Sequence, residues 1–376
     1  MADREPDLIV RLGGSVASVD AAAWNALAGT DQPFLRHAFL ALLESSVSVG
    51  DASGWTPAPI LVERRGTLVA AAPAYLKAHS QGEYVFDHGW ADAWMRAGGD
   101  YYPKLQVAVP FTPVPGPRLL GSEPDALLGA IEAVTDQNRL SSAHITFACG
   151  ADLAPAEARG WLRREGIQYH WLNHGYENFD DFLAALASRK RKAIRRERAA
   201  ANAGIEVVAR RGPDIGATEW DAMWRCYQDT GQRKWGRPYL TREWFEGLAA
   251  AMGDAVLLFL AYADGRPIAG ALNFVDGEAV YGRYWGSIAD RPFLHFELSY
   301  YRAIEWAIDQ RLQRVEAGAQ GEHKLARGYR PVTTNSLHYI PNPGFRRAVA
   351  EFVERERDAL VAERAWAAEG LPYRSA

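Results

Sequence analysis

Cysteine is scarce: Cys149 and Cys226 are the only two in 376 residues. That excludes a disulfide framework and a cysteine-ligated zinc site, and it fits a reducing compartment. Long apolar runs are missing too. The longest, Ala255 to Ala263, has nine residues, against the ~20 needed to cross a bilayer, so no membrane span is expected. Asp3, Glu5 and Asp7 stand where a secretory leader would carry basic and then apolar residues. The expected setting is the cytoplasm. Excess charge is missing as well: the net value is −4. The chain as a whole is no general polyanion binder and DNA is not an expected partner, so any phosphate site must be a local basic patch. There is no Gly-x-x-x-x-Gly-Lys-Ser/Thr loop, dinucleotide fingerprint, Gly-x-Ser-x-Gly elbow or His-Glu-x-x-His pair. These absences argue against a nucleotide hydrolase, a hydride enzyme, a serine hydrolase and a zinc protease. His170 and His174 are four apart but have no third ligand in view, so no metal is expected.

What is there is aromatic: 13 Trp, 16 Tyr and 14 Phe, a composition that argues against disorder. The length suggests two to three domains. A repeat divides the chain. Pro33-Phe34-Leu35 opens an amphipathic stretch through Leu43, and Pro238-Tyr239-Leu240 opens another through Leu248. A hairpin follows each. Ile60–Arg64 turns at Arg65-Gly66 into Leu68–Ala72; Leu257–Ala263 turns at Asp264-Gly265 into Ile268–Leu272. Such two-residue connections are strong hairpin signals. A third strand ending at an aromatic is expected in both halves, Tyr84–Trp90 and Ala279–Trp285. Helix followed by antiparallel meander thus occurs twice, and the expected domains are 1–175 and 176–376, with the C-terminal helix free to pack back on the first. Asn178 to about Asn202 reads as one helix with acids in its first turn. Phe296–Gln310 reads as a helix, Arg314–Ala317 as a short strand, Gly318–Gly344 as loop and Arg346–Ala368 as a final helix.

Three stretches hold candidate chemistry. Ser188–Arg198 has seven basic residues and one acidic in eleven. On a helix Arg191, Arg195 and Arg198 share one face, suited either to solvent or to a phosphate-rich partner. Glu316–Tyr329 mixes glycines, acids, His, Lys, Arg and Tyr after a strand. Glu316 and His323 are usable general bases, while Lys324 and Arg327 can hold an anion or an oxyanion. Asp87-His88-Gly89-Trp90 and Tyr101-Tyr102-Pro103-Lys104 combine polar groups with aromatic walls, a common make-up for small-molecule pockets.

The Ser188–Arg196 helix, the Gly265-Arg266-Pro267-Ile268-Ala269-Gly270 hairpin and the Glu316-Ala317-Gly318-Ala319-Gln320-Gly321-Glu322-His323-Lys324 loop together resemble the FemAB-related branch of the GNAT acyltransferase superfamily. The nearer likeness is to its predicted N-acyltransferases, labelled peptidoglycan biosynthesis or recognition proteins. The stretches His88–Ala93 and Tyr101–Gln106 fit the same pattern, and the likeness runs from about Ala38 to Arg347. It implies an α/β (α+β) fold of two tandem GNAT-like domains, each a mixed, mostly antiparallel sheet flanked by helices, with a site in the cleft between them. It implies direct transfer of an acyl group from an acyl-CoA-type thioester to a small-molecule or peptide amine. Glu316, His323 and Lys324 would be catalytic. Asp87, His88, Trp90, Tyr101, Tyr102, Lys104, Tyr284, Trp285, Arg327 and Tyr329 would bind substrate, and Arg191 and Arg195 the anionic donor. Fem enzymes proper use an aminoacyl-tRNA donor and insert a helical arm; no long coiled-coil insertion is present here, nor is a Gln/Arg-x-x-Gly-x-Gly/Ala acetyl-CoA loop. A Fem-like aminoacyl-tRNA ligase and a non-catalytic binding protein are the alternatives.

Overall fold

The computed structural model describes residues 8–29, 32–235, 238–318 and 321–374. The chain forms two compact units, Met1–Gly166 with Thr333–Val361, and Ile167–Val332 with Ala362–Ala376. Strands β1 (Ile9–Leu12), β2 (Trp55–Pro57), β3 (Ile60–Arg64), β4 (Thr67–Ala72), β5 (Ala74–Lys77), β6 (Lys104–Val107), β7 (Leu120–Gly121) and β8 (Ala143–Ala148) belong to the first. Strand β9 (Leu162–Leu172) leads into the second, which holds β10 (Glu206–Arg211), β11 (Val256–Ala263), β12 (Arg266–Val275), β13 (Ala279–Ser287) and β14 (Arg314–Glu316). Strand β15 (Arg330–Tyr339) returns the chain to the first unit.

The two units repeat one plan. In the first, β5 pairs antiparallel with β6, β6 pairs parallel with β8, and β8 pairs antiparallel with β15. In the second, β12 pairs antiparallel with β13, β13 parallel with β14, and β14 antiparallel with β9. Each parallel pair needs a crossover, supplied by the helices Pro124–Gln137 and Arg302–Asp309. Both expected hairpins form, β3–β4 and β11–β12. Their turn residues have positive φ at both positions, +51° and +77° at Arg65-Gly66, +47° and +71° at Asp264-Gly265, which is the type I′ geometry that matches strand twist. In the second unit Gly286 is needed for another reason. A Cβ there would lie 2.2 Å from the Cys226 backbone, so only glycine lets the Ala217–Trp235 helix lie this close to β13.

Three sequence expectations are corrected. Tyr84–Trp90 is not a strand. Tyr84 has φ +58°, and a helix runs from His88 to Arg96. Trp90, Ala91 and Trp94 mark one face of it, and an apolar face at i, i+1, i+4 is helical spacing. The helix expected from Asn178 to Asn202 is two, Phe179–Ala185 and Ser188–Ala201. Leu186 between them is extended and bridges to Tyr373, and Ala187 N–H donates to Pro372 O at 2.8 Å. A contact with the distant C-terminal segment overrides local helix propensity there. Gly318–Gly344 is not all loop, since it contains β15. The inward residues of that strand are polar (Thr334, Ser336 and His338 are buried), so the apolar alternation that signals a strand is absent.

The second unit's core gathers Trp171, Phe182, Phe259, Leu298, Tyr301 and Ile304, all buried. The first unit's core gathers Leu105, Leu127, Ile131, Ile145 and Leu337, with a separate cluster of Trp90, Tyr101, Phe345 and Val349.

Candidate active site

In the second unit the parallel pair β13–β14 is in register for three residues only, ending at Tyr281 and Glu316. Beyond that, β13 continues to Ser287 while the chain after Glu316 turns off through Gly318, whose φ is +76°. Two parallel strands that part company leave backbone groups without a partner between them, a place where a ligand can complete the ladder. A pocket of about 110 Å³ opens here, bordered by Asn273, Gly282, Arg283, Tyr284, Trp285, His295, Ser299, Tyr300 and Ala317. Tyr284 and Trp285, expected to line this channel, both border it. The pocket's helical wall is a π-turn, Glu297–Tyr301, a local distortion common at functional sites. It is pinned from behind. The fully buried Glu297 carboxylate accepts two hydrogen bonds from Arg198 at 3.0 Å and lies 2.8 Å from Arg302 Nε.

The first unit has the matching parallel pair, β6–β8, but not the gap. Gly116 N–H donates to Phe147 O at 3.0 Å, Gly116 bridges to Ala148, and Arg118 Nε donates to Thr146 O at 3.1 Å. The Gly116–Arg118 segment therefore covers the edge of β8 that β6 leaves bare.

The segment that begins at the end of β14 carries several of the residues singled out from sequence. Glu316 is buried. Its Oε1 accepts from Arg314 Nε at 2.9 Å, while Oε2 has no hydrogen-bond partner among the described residues and lies 3.7 Å from His170 Nε2. Burial raises its pKa, against the pull of Arg314. Lys324, also buried, makes one hydrogen bond among the described residues, to Gly318 O at 2.9 Å. Burial alone brings its pKa down to about 7. His323 is exposed, with Nε2 2.8 Å from Tyr300 OH. Arg327 donates to His323 O at 2.8 Å and Glu197 Oε2 at 2.9 Å, and its guanidinium stacks on Phe296 at 3.5 Å. Tyr329 is fully buried against Tyr300, its hydroxyl unpartnered. Of the basic stripe, Arg198 is engaged as described, Arg195 pairs with Asp180 in solvent at 2.8 Å, and Arg191 is half-buried with no ion pair among the described residues. The sequence reading passed over His170 as a base partner, and over Asn273 and Ser299. His170 meets Glu316 only through the β9–β14 register, which no local pattern announces.

The first-unit candidates form a separate group, and a larger one than the sequence suggested. Lys104 Nζ donates to Glu83 Oε2 at 2.8 Å, to Ser80 Oγ at 2.9 Å and to Asp87 Oδ2. Tyr101 OH donates to Asp87 Oδ2 at 2.7 Å, and Tyr102 OH lies 2.8 Å from Ser80 Oγ. His144 Nδ1 is 2.6 Å from His338 Nδ1, and Trp90 packs edge-on against His338. His88 is exposed and stacks on Phe86. Burial favours the neutral form of Asp87, but Lys104 outweighs it and holds the carboxyl below its usual range. Burial lifts Glu83 to about 7.

Burial pushes both His144 and His170 down to about 3. Their folded-state pKa lies below the unfolded value near 6.5, so their contribution is intact above pH 6.5 and is lost as the pH falls toward 3. Between pH 7 and 5 each is expected to cost about 2 kcal/mol of stability. Melting curves by circular dichroism should show the midpoint dropping by roughly 2–4 °C per kcal/mol over that interval. A flat midpoint would contradict the neutral, buried state of these imidazoles.

Comparison with known proteins follows the same lines. A family model described as FemAB-like, peptidoglycan biosynthesis/recognition, matches residues 15–375. No curated protein matches the sequence. Among solved structures, a conserved protein of unknown function from Bacteroides thetaiotaomicron VPI-5482 is 13% identical with a TM-score of 0.52, over 88% of this chain and 99% of that one. L-PGS from Bacillus licheniformis is 11% identical with a TM-score of 0.50, over 80% and 90%. A tandem GNAT protein from the clavulanic acid biosynthesis pathway is 12% identical with a TM-score of 0.47, over 89% and 99%. These are likenesses of fold. The architecture is an α/β fold of two units in tandem that repeat one plan of strand pairing.

Proposed function

Because the chain belongs to the FemAB-like family of peptidoglycan biosynthesis/recognition proteins, we propose that it is an N-acyltransferase acting on an amine of a cell-wall precursor, with its chemistry in the second unit. One observation carries the reading. The chain that leaves β14, where that strand parts from β13, carries a buried carboxylate whose Oε2 has no hydrogen-bond partner among the described residues, Glu316, and a buried amine poised near neutrality, Lys324.

In this reading an acyl thioester lies along the exposed edge of β13. The acceptor enters as an ammonium and gives a proton to Glu316 Oε2. The amine nitrogen attacks the carbonyl carbon, and Lys324 in its charged form balances the developing oxyanion. The carbon–sulfur bond then breaks, and the proton lost by the attacking nitrogen passes to the thiolate, which leaves as the thiol. His323, hydrogen-bonded to Tyr300, is the second candidate for the proton transfers. Arg191 and Arg195 are assigned to phosphates of the donor. The described residues hold no group of His, Cys, Asp and Glu suited to a metal ion, and the proposed route uses none.

The pH dependence follows from these groups. Glu316 must be ionised, so the rate climbs as pH rises through its raised pKa. Lys324 must be protonated, so the rate falls above about 7. A bell with its alkaline limb near pH 7 is expected. An alkaline limb near 10 would remove Lys324 from the charged role.

The decisive assay measures thiol release from acyl-CoA in the presence of amine-bearing muropeptides, with and without ribonuclease. Amine-dependent release indifferent to ribonuclease supports the thioester reading. Transfer seen only with charged tRNA and lost on ribonuclease treatment replaces it by the aminoacyl version that the family name suggests. Binding of muropeptide without turnover of either donor would leave a recognition protein.

A further inference from the structure

The pocket beside the gap is small and polar, and that bears on the acyl group itself. A cavity of roughly 150 Å³ holds benzene; the 110 Å³ here holds about four or five heavy atoms by the same measure. Its chemistry is set by three residues. Asn273, buried on β12, donates through Nδ2 to Ala271 O at 3.0 Å and Leu257 O at 3.4 Å. That fixes the amide and leaves its Oδ1 3.5 Å from where a Cβ on Gly282 would stand. Ser299, on the π-turn, has a buried hydroxyl with no hydrogen-bond partner among the described residues. Arg283, the extra residue of a β-bulge opposite Leu272 and Asn273, adds a positive charge to the border. An acceptor and a hydroxyl with no partner among the described residues thus border one small polar pocket.

We infer that, on the transferase reading above, this pocket seats the acyl group of the donor, and that the group is a short hydroxyacyl of two to four carbons. Its hydroxyl donates to Asn273 Oδ1 and accepts from Ser299 Oγ–H. An alkyl chain would leave both groups unsatisfied. An α-ammonium can only donate, so it leaves the Ser299 hydroxyl proton without an acceptor. Gly282 sets the depth, because a Cβ there meets Asn273 Oδ1, Ala317 Cα and Glu316 O at 3.5–3.6 Å, ordinary contact. Alanine fits, and anything longer grows into the pocket.

The test uses the full chain and ligand-observed saturation-transfer NMR with four amides: lactamide, propionamide, alaninamide and hexanamide. Lactamide is expected to bind at least fivefold more tightly than propionamide and alaninamide, with no signal from hexanamide. Ser299→Ala should bring lactamide down to the level of propionamide, and Gly282→Leu should abolish binding. Hexanamide or alaninamide binding as well as lactamide overturns the inference, as does lactamide binding that survives Gly282→Leu. Should Gly282→Leu not fold, the lactamide-to-propionamide ratio in Ser299→Ala decides, and an unchanged ratio overturns it. The transferase reading fails separately. Lys324→Met that transfers acyl groups at the wild-type rate removes that reading, whatever the amides do.

Discussion

Lys324→Met will lower the rate of acyl transfer by about 10²–10³-fold, the range seen when one oxyanion donor is removed, and it will not lower the melting temperature. The two halves of this expectation come from one fact. A buried ammonium whose hydrogen bond among the described residues goes to Gly318 O is costly to the fold, and burial expresses that cost by bringing its pKa down to about 7. Methionine keeps the length of the side chain and drops the charge. Stability should therefore hold or rise, most visibly below pH 7, where the wild-type amine is charged. Steady-state kinetics beside a thermal melt reads both halves. A structural lysine would show the reverse, with activity falling only as far as the protein unfolds. Glu316→Gln is the companion. It keeps a partner for Arg314 but removes the base, so kcat should fall by about 10²–10⁴-fold and the acid limb of the pH profile should disappear.

Lys104→Met will destabilise the first unit by about 3–5 kcal/mol. Lys104 is the cation between Glu83 and Asp87, fully buried, with Ser80 on its third proton. Removing it strands two carboxylates in the core. Asp87 Oδ1 and Glu83 Oε1 already lack hydrogen-bond partners, and the nearest other cation, Lys77, stands 4.0 Å from Glu83 Oε1, too far for a hydrogen bond. The loss should shrink as the pH falls, because protonated carboxyls no longer need the ammonium. Adding Glu83→Gln to Lys104→Met should recover part of it. Urea unfolding of the single and double variants measures the coupling. A loss under 1 kcal/mol would show that these groups are reached by water and held open for a ligand.

The candidate site was half legible. Glu316 and Lys324 could be picked out because their segment mixes chemically distinct residues after a strand signal, and Tyr284 and Trp285 because the meander repeat places them at a strand's end. Asn273, Ser299 and His170 could not. Asn273 sits in an apolar strand, Ser299 in a helix whose π-turn depends on Glu297 being held by Arg198 and Arg302, and His170 faces Glu316 across a pairing of segments nearly 150 residues apart. In the first unit Asp87, Tyr101 and Lys104 were found, while Glu83, His144 and His338 were not, because only the packed sheet brings β6, β8 and β15 side by side.

By itself the sequence determined the local and periodic features: the twin hairpins with their Arg-Gly and Asp-Gly turns, the meander repeat and the lack of a long apolar run. Each rests on interactions between residues close along the chain, so composition and spacing suffice. The tertiary structure alone decided that β8 is completed by β15 and β14 by β9, so that 333–361 belong to the first unit. It also decided that one parallel pair is closed by its own chain while, among the described residues, the other stays open. Strand pairing is a contest among distant segments for the same backbone hydrogen bonds, and its winner is set by which arrangement buries the most apolar surface without stranding a polar group, a property of the whole fold that no window of sequence contains.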